Sequence, residues 1–319
     1  MAVNNIISQG SLETDLRLAA MLSQEIRLLL TDTNNLRNSP YIDFIGSING
    51  LGSDTIRVSL AGLDGRDVFS ATAAEDTAVD AASNTALTDT SVDIAVARAA
   101  LRYQVSDLAN ITNFQGAANG IDVFRIAQSM AGSYEAYFAD LTAAAIATFT
   151  TSAGNTGAAF TVDGMLDGIF ELEKADSNRG VPGPFAGILH PKQLTQLQDD
   201  LRNESNSIFA YSPATLEAIS AKGPGYVGRF LNADLYTSSY IETSGGGDLQ
   251  GALFGVGALG YGTGVPRDMP GASDFMAMGD IVVEFERDAA TASTIIMGHC
   301  YLGIGVLDDN RGVKLLSLA

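Results

Sequence analysis

Residues 51–106 constrain what this chain can fold into more than any other stretch. Two strand-like ends, 54–62 and 91–105, flank a middle made of Ala, Asp, Thr and Ser, which offers almost nothing to a compact core. On the outgoing side Ile56, Val58 and Leu60 alternate with Thr55, Arg57 and Ser59, the pattern of a half-buried strand. On the return Val92, Ile94 and Val96 share one parity, whereas Leu101, Tyr103 and Val105 share the other. That phase flip predicts a bulge, a bend or a change of packed face near 98–100. Together these patterns predict a long two-stranded arm with a soft tip. A lone two-stranded ribbon is only marginally stable in water, so the arm is expected to find its packing partner outside its own subunit. Such a requirement points to an assembly protein before it points to an enzyme.

The rest of the chain has enough apolar material to fold on its own account. Of 319 residues 46% are hydrophobic, which supports a sizeable core and argues against wholesale disorder. Charge excludes one function class. With 37 acidic residues against 18 basic ones the net charge is −19, whereas a protein that wraps nucleic acid needs a Lys/Arg surface to neutralise phosphates. An acidic surface repels DNA and suits a container; it also serves solubility, and composition alone does not separate the two. Cys300 is the single cysteine, so no intrachain disulfide forms, and its place in an apolar strand pattern predicts a buried, inert thiol. The opening residues MAVNNIISQG carry neither a basic n-region nor an apolar h-region. No segment reaches the ~18 consecutive apolar residues of a membrane span. A protein made in the cytoplasm and independent of membranes is expected.

Ser11 can cap a helix over 12–30, with Glu13 and Asp15 in its first turn where the helix dipole favours negative charge. Leu12, Leu16, Leu22 and Ile26 form its apolar stripe, to be buried on this subunit or on a neighbour. The longest helical pattern covers 121–149, about 45 Å at 1.5 Å per residue. Further helices are predicted over 162–175, 192–201 and 213–221, with an apolar strand at 186–189 and strand material over 228–241 broken at 232–233. A flexible tip is expected at 244–247. The last fifth reads as strands at 251–257, 281–287, 294–304 and 313–318, with a Gly/Pro-rich connection over 260–271. The fold class is therefore α+β.

Catalytic chemistry is hard to assemble from these residues. Two histidines and one cysteine fall short of the roughly four ligands that a structural zinc requires. His190, before a proline at a strand end, is expected to serve a turn or a helix cap. His299 and Cys300 are neighbours on a predicted strand and so point to opposite faces, which argues against a base–nucleophile pair. Gly255, Gly257 and Gly260 match the spacing of a dinucleotide fingerprint, but Tyr261-Gly262-Thr263-Gly264-Val265-Pro266 follows and breaks any helix that would receive a pyrophosphate. The pairs Asp308–Asp309 and Glu284/Glu286 are read as turn or solvated positions, with a surface cation between subunits as the alternative. No catalytic, cofactor or metal site is expected.

The order of elements now carries the argument. An N-terminal arm, a long hairpin loop, a long helix, an α/β region and terminal strands follow one another. This order resembles the major capsid proteins of tailed phages with the Hong Kong 97-type fold. Three local patterns share the resemblance: 166–173 followed by Gly187-Ile188-Leu189-His190-Pro191; Gly228-Arg229-Phe230-Leu231-Asn232-Ala233-Asp234-Leu235-Tyr236; and 281–287 followed by 295–304. The resemblance implies an N-arm over 1–50 with helix 12–30, an E-loop over 51–106, a P-domain over 107–160 and 270–319 with its spine helix at 121–149, and an A-domain over 161–269. It further implies head-to-tail contacts that close into hexamers and pentamers and tile an icosahedral shell around double-stranded DNA in a virion. Decoration or cement, portal and scaffold proteins are the other partners it suggests. Arg57, Arg66, Arg98 and Arg102 on the arm, with Leu16 and Ile26 on the first helix, are the candidate assembly contacts.

Two features depart from parts of that family. Residues 51–106 contain no lysine, so the isopeptide cross-link that some members make from this loop is not available here. About 50 residues precede the arm, so scaffolding is expected from a separate protein, or the chain is the mature form. An encapsulin-like compartment shell is the main alternative, and a surface-layer protein is a second, disfavoured by the absence of a leader pattern.

Overall fold

The computed structural model describes residues 41–59, 91–108, 123–174, 181, 183–203, 211–222, 225–241, 243–244, 246–265, 275–278 and 281–319. The helix expected over 12–30, with Leu16 and Ile26, and the arm tip with Arg66 lie outside the described residues.

One long helix organises the molecule. Helix α1 (Val123–Ile146) runs 24 residues, about 36 Å. Ala127, Met130, Ala131, Tyr134 and Phe138 recur at three- and four-residue steps and are all buried. This face packs into a core shared with two sheets, which contribute Ile281, Val283 and Ile296 on one side and Ala186, Ile188 and Phe254 on the other. The helix therefore lies between the sheets.

The first sheet has the strand order β1 (Ile42–Ser47), β11 (Leu259–Thr263), β14 (Ser293–Val306), β13 (Ile281–Asp288), β12 (Phe275–Met278), and β4 (Ala97–Ser106) also pairs with β14. Among its described strands only β1 and β11 pair in parallel. The second sheet has the order β5 (Ser152–Gly154), β15 (Gly312–Leu318), β10 (Asp248–Phe254), β6 (Phe185–Leu189), β9 (Ala233–Thr237), β8 (Tyr226–Phe230), β7 (Tyr211–Pro213). Its far face carries a second core, in which Met165, Ile169 and Leu172 of helix α2 (Val162–Glu173) and Leu197 and Leu201 of helix α3 (Pro191–Asn203) cover Leu189, Leu235, Leu253 and Leu315. Because β6 is buried on both faces, all five of its residues are inaccessible, as its unbroken apolar run requires. Helix α4 (Leu216–Lys222) is short and packs beside β8.

The ribbon is shorter than the arm read from sequence. Strands β2 (Thr55–Ser59) and β3 (Ser91–Ala95) form a two-stranded antiparallel sheet. The chain then turns at Val96 and enters the first sheet as β4, so 97–106 belongs to the sheet and not to the ribbon. This is the predicted change of packed face, placed slightly earlier.

Three further differences have physical causes. The stretch 260–271, read as a connection, begins inside strand β11. Its glycines are not turn residues: a Cβ on Gly260 would lie 2.4 Å from Ile45 Cδ1, and one on Gly262 2.4 Å from Ile56 Cδ1. Strands β1, β5 and β12 were not anticipated, because each is short and takes its place from sequence-distant partners. The sheets also exchange strands across the expected division at 269/270. Residues of β11 lie with β14, and β15 crosses to pair with β10.

Candidate assembly surfaces

The root of the ribbon is a built site. Gly303 and Gly305 on β14 and Gly262 on β11 form a side-chain-free floor on the sheet face opposite α1. A Cβ on Gly303 would sit 2.0 Å from the carbonyl oxygen of Ala95, and one on Gly305 would sit 3.1 Å from Ile94 Cγ1. The floor lets the ribbon backbone lie directly on the sheet. Ile56 and Ile94 face each other in register and are 6% and 2% exposed, so they clamp the root. The Val96 N–H donates to the Asp54 carbonyl at 2.9 Å and closes the base. Beyond this pair Arg57, Ser59, Ser91 and Asp93 are exposed, and Val58 and Val92 are half-buried.

Arg57 is already paired within the ribbon. Its Nε and Nη2 donate to the two carboxylate oxygens of Asp93, each at 2.8 Å. The guanidinium holds the Asp93 carboxyl below the usual carboxylate range. Cross-strand geometry thus gives Arg57 a partner on the adjacent strand, and both side chains stay exposed.

Arg98 and Arg102 lie on β4, not on the arm. Ala99, Leu101 and Tyr103 turn inward to the core, so the two arginines share the exposed face. Their cross-strand neighbours are Tyr301 and Met297. At the far end of β4, Asp107 accepts two bonds from Arg287, at 2.5 and 2.6 Å, and ties the strand to β13. Exposed apolar side chains include Leu108 just past β4, Phe44 on β1, Leu166 and Phe170 one turn apart on α2, and Leu216 at the start of α4.

The two sheets are pinned together beside the start of β1. The Tyr41 hydroxyl donates to Asp234 Oδ2 at 2.8 Å, and Lys222 Nζ reaches the same oxygen at 2.6 Å. The ammonium also sits 4.8 Å from the Tyr226 ring centroid. Asp234 is 5% exposed. Burial, reinforced by the Asp234 carboxylate, raises the Tyr41 hydroxyl far above its ordinary range and the Tyr236 hydroxyl to about 12. Both phenols stay neutral at any working pH.

The residues weighed for chemistry have structural duties. His190 caps α3: its Nδ1 accepts from the Lys192 N–H at 3.1 Å, and Gln193 Oε1 accepts from the His190 N–H at 3.0 Å. This reciprocal pair is a capping box, with Pro191 at the first helical position. Burial, then the Lys192 charge, depresses the His190 pKa. Cys300 is buried in the core against α1. His299 is buried too, with Nε2 3.5 Å from Glu284 Oε2. A small apolar cavity of about 210 Å³ lies between β4, β14 and α1, bordered by Leu101, Met130, Tyr134 and Cys300. Asp308 caps the 3₁₀ turn Asp309–Arg311, and Asp309 accepts from the Thr150 N–H at 2.9 Å. The GxGxxG stretch runs into β11 and not into a helix.

Sequence reasoning missed the glycine floor and the Tyr41–Asp234 pin. The floor had a readable trace, glycine at every second position in 260–264 and again at 303 and 305. The pin joins residues 193 positions apart and left no trace.

No family model matches the chain, and no curated protein sequence matches it. Solved structures do. The capsid of the cyanophage P-SCSP1u is similar over 90% of this chain and 89% of its own, with a TM-score of 0.55 and 12% identity. The capsid of a native GTA particle is similar over 89% of this chain and 90% of its own, with a TM-score of 0.55 and 15% identity. The holo-SrpI encapsulin complex from Synechococcus elongatus is similar over 83% and 82%, with a TM-score of 0.54 and 12% identity. At this level of identity the likeness is one of fold, and the chain has the Hong Kong 97-type fold of tailed-phage capsids.

Proposed function

We propose that this chain is the major capsid protein of a tailed phage, building hexamers and pentamers that close into a shell around double-stranded DNA. The observation that carries the reading is the ribbon. It is anchored at Ile56 and Ile94 by a glycine floor, yet it offers exposed residues beyond that root. A ribbon of this kind gains its remaining burial from another copy. Likeness to a cyanophage capsid over 90% of the chain, and to the capsid of a GTA particle over 89%, supports the same reading. The net charge of −19 suits a wall that encloses DNA without gripping it. The role is structural and not catalytic, and the working location is the virion. Scaffold, portal and cement proteins are the partners such a shell would use.

A second reading, an encapsulin-like compartment, is favoured by the likeness to the SrpI complex. Particle contents separate the two: nuclease-protected DNA supports the phage reading, and protein cargo supports the compartment.

Deleting 64–90 tests the assembly claim. The shortened chain should keep the circular dichroism and thermal midpoint of the full chain while sedimenting as single subunits. A shortened chain that still forms shells would refute the role given to the arm.

A further inference from the structure

We propose that the cavity between α1, β4 and β14 is a binding site for a small neutral molecule, a single ring carrying one hydroxyl group. The cavity lies within one subunit, so the inference stands apart from the assembly reading above.

Its origin is the first argument. Helix α1 lies tight on β14 at Gly298, where a Cβ would sit 3.2 Å from Met130 Sδ. One strand further out, β4 presents Ala99 to the same helix, and a methyl group does not reach across. The space left is about 210 Å³. Packed interiors leave few voids larger than a water molecule. This one forfeits dispersion contacts that a ligand of matching shape restores.

Lining is the second. Leu101, Met130, Ile281 and Cys300 make an apolar wall, and the last three are buried. A water molecule needs about two to four polar partners to stay in such a place, and an apolar cavity of about 150 Å³ is already large enough to remain dry and admit benzene. Hydroxyl-bearing side chains border the space from α1 alone: Tyr134, which is buried, and Ser133 and Tyr137, which reach solvent. Burial, then Cys300 and Asp140, raises the Tyr137 hydroxyl above its ordinary range, so it stays neutral and able to donate. Among the described residues no Asp, Glu, Lys or Arg borders the cavity. His299 contributes backbone there, because its side chain lies on the other face of β14 beside Glu284. An uncharged ring with one polar group at its outer end matches these walls.

Access is the third. Ser133 and Ala100 are exposed, and Ala99 and Tyr137 are half-buried, so a ligand enters between β4 and α1 without opening the core.

The test uses the full chain, with phenol as the ligand and benzenesulfonate, the same ring bearing a charge, as the control. Titration calorimetry should show saturable binding of one phenol per chain and none of benzenesulfonate. Cys300 is the single cysteine, so its alkylation by iodoacetamide reports on the cavity wall alone. At a phenol concentration about ten times the Kd, that reaction should slow about tenfold, because only unoccupied cavities react. Ala99→Leu fills the space and should abolish both effects while keeping the circular dichroism of the unmodified chain. A folded Ala99→Leu chain that still binds phenol overturns the inference. If that variant does not fold, the unmodified chain decides: no saturable binding, or binding that leaves the alkylation rate unchanged, overturns it. Assembled particles in which Cys300 is protected without ligand, and phenol adds nothing, would put a neighbouring copy's side chain in the cavity and overturn it as well.

Discussion

His190 shows how one side chain couples a helix to pH. Its neutral Nδ1 accepts the Lys192 N–H, so protonation removes the cap. Burial makes the folded pKa lower than the ordinary His value. The unfolded chain therefore binds the proton more readily, and stability rises with pH through this window. The contribution is fully present above the unfolded pKa and is lost as pH falls through the folded one. Replacing His190 with Ala should cost about 1 kcal/mol at neutral pH, the usual worth of a cap. His190→Asn should keep the cap and flatten the stability slope below pH ~6.5. Urea titrations at several pH values check both outcomes; an unchanged slope in the Asn variant would sink this assignment. The Tyr41–Asp234–Lys222 pin belongs to the same scale. Tyr41 gives a neutral hydrogen bond and Lys222 a charge-assisted one to a carboxylate that burial would otherwise penalise. The pin holds the strand that begins at the N-terminal segment against the second sheet.

Among elements, the ribbon and its floor matter most. Gly303→Ala places a methyl group where the Ala95 carbonyl oxygen already sits, and a backbone oxygen cannot rotate away as a side chain can. Overpacking of this kind costs about 1–3 kcal/mol. The core around α1 lies on the opposite face of this sheet and the core around α2 on the second sheet, so the subunit should still unfold cooperatively. Limited proteolysis should cut the ribbon faster than in the unmodified chain, and equal cutting rates would contradict the seating described here. The helices were legible because apolar residues at three- and four-residue steps have one reading; 121–149 and 162–175 became α1 and α2 with trimmed ends. Strand β11 was not. Glycine in a sequence reads as a turn, and only the isoleucines that fill the vacated space reveal it as a strand. The arginines were half legible. Their exposure followed from strand parity, but the partner of Arg57 needed the ribbon register, and the true element of Arg98 and Arg102 needed the turn at Val96.

For the whole molecule, the layers follow from the long helix. An amphipathic rod of about 36 Å buries its stripe only by lying against something equally long, and here two sheets close on it. Which strands join which sheet was beyond the sequence, because β15 and β11 pair with elements set by the final packing and not by chain order. The resulting subunit has two cores of its own and a ribbon secured at its root, with exposed residues beyond it among those described. Negative-stain electron microscopy of the purified full chain, with sedimentation on the same sample, tests that account most directly. Closed shells, or rings of six and five subunits, are the predicted result. A homogeneous population of single subunits at every concentration, with no rings and no shells, would contradict it.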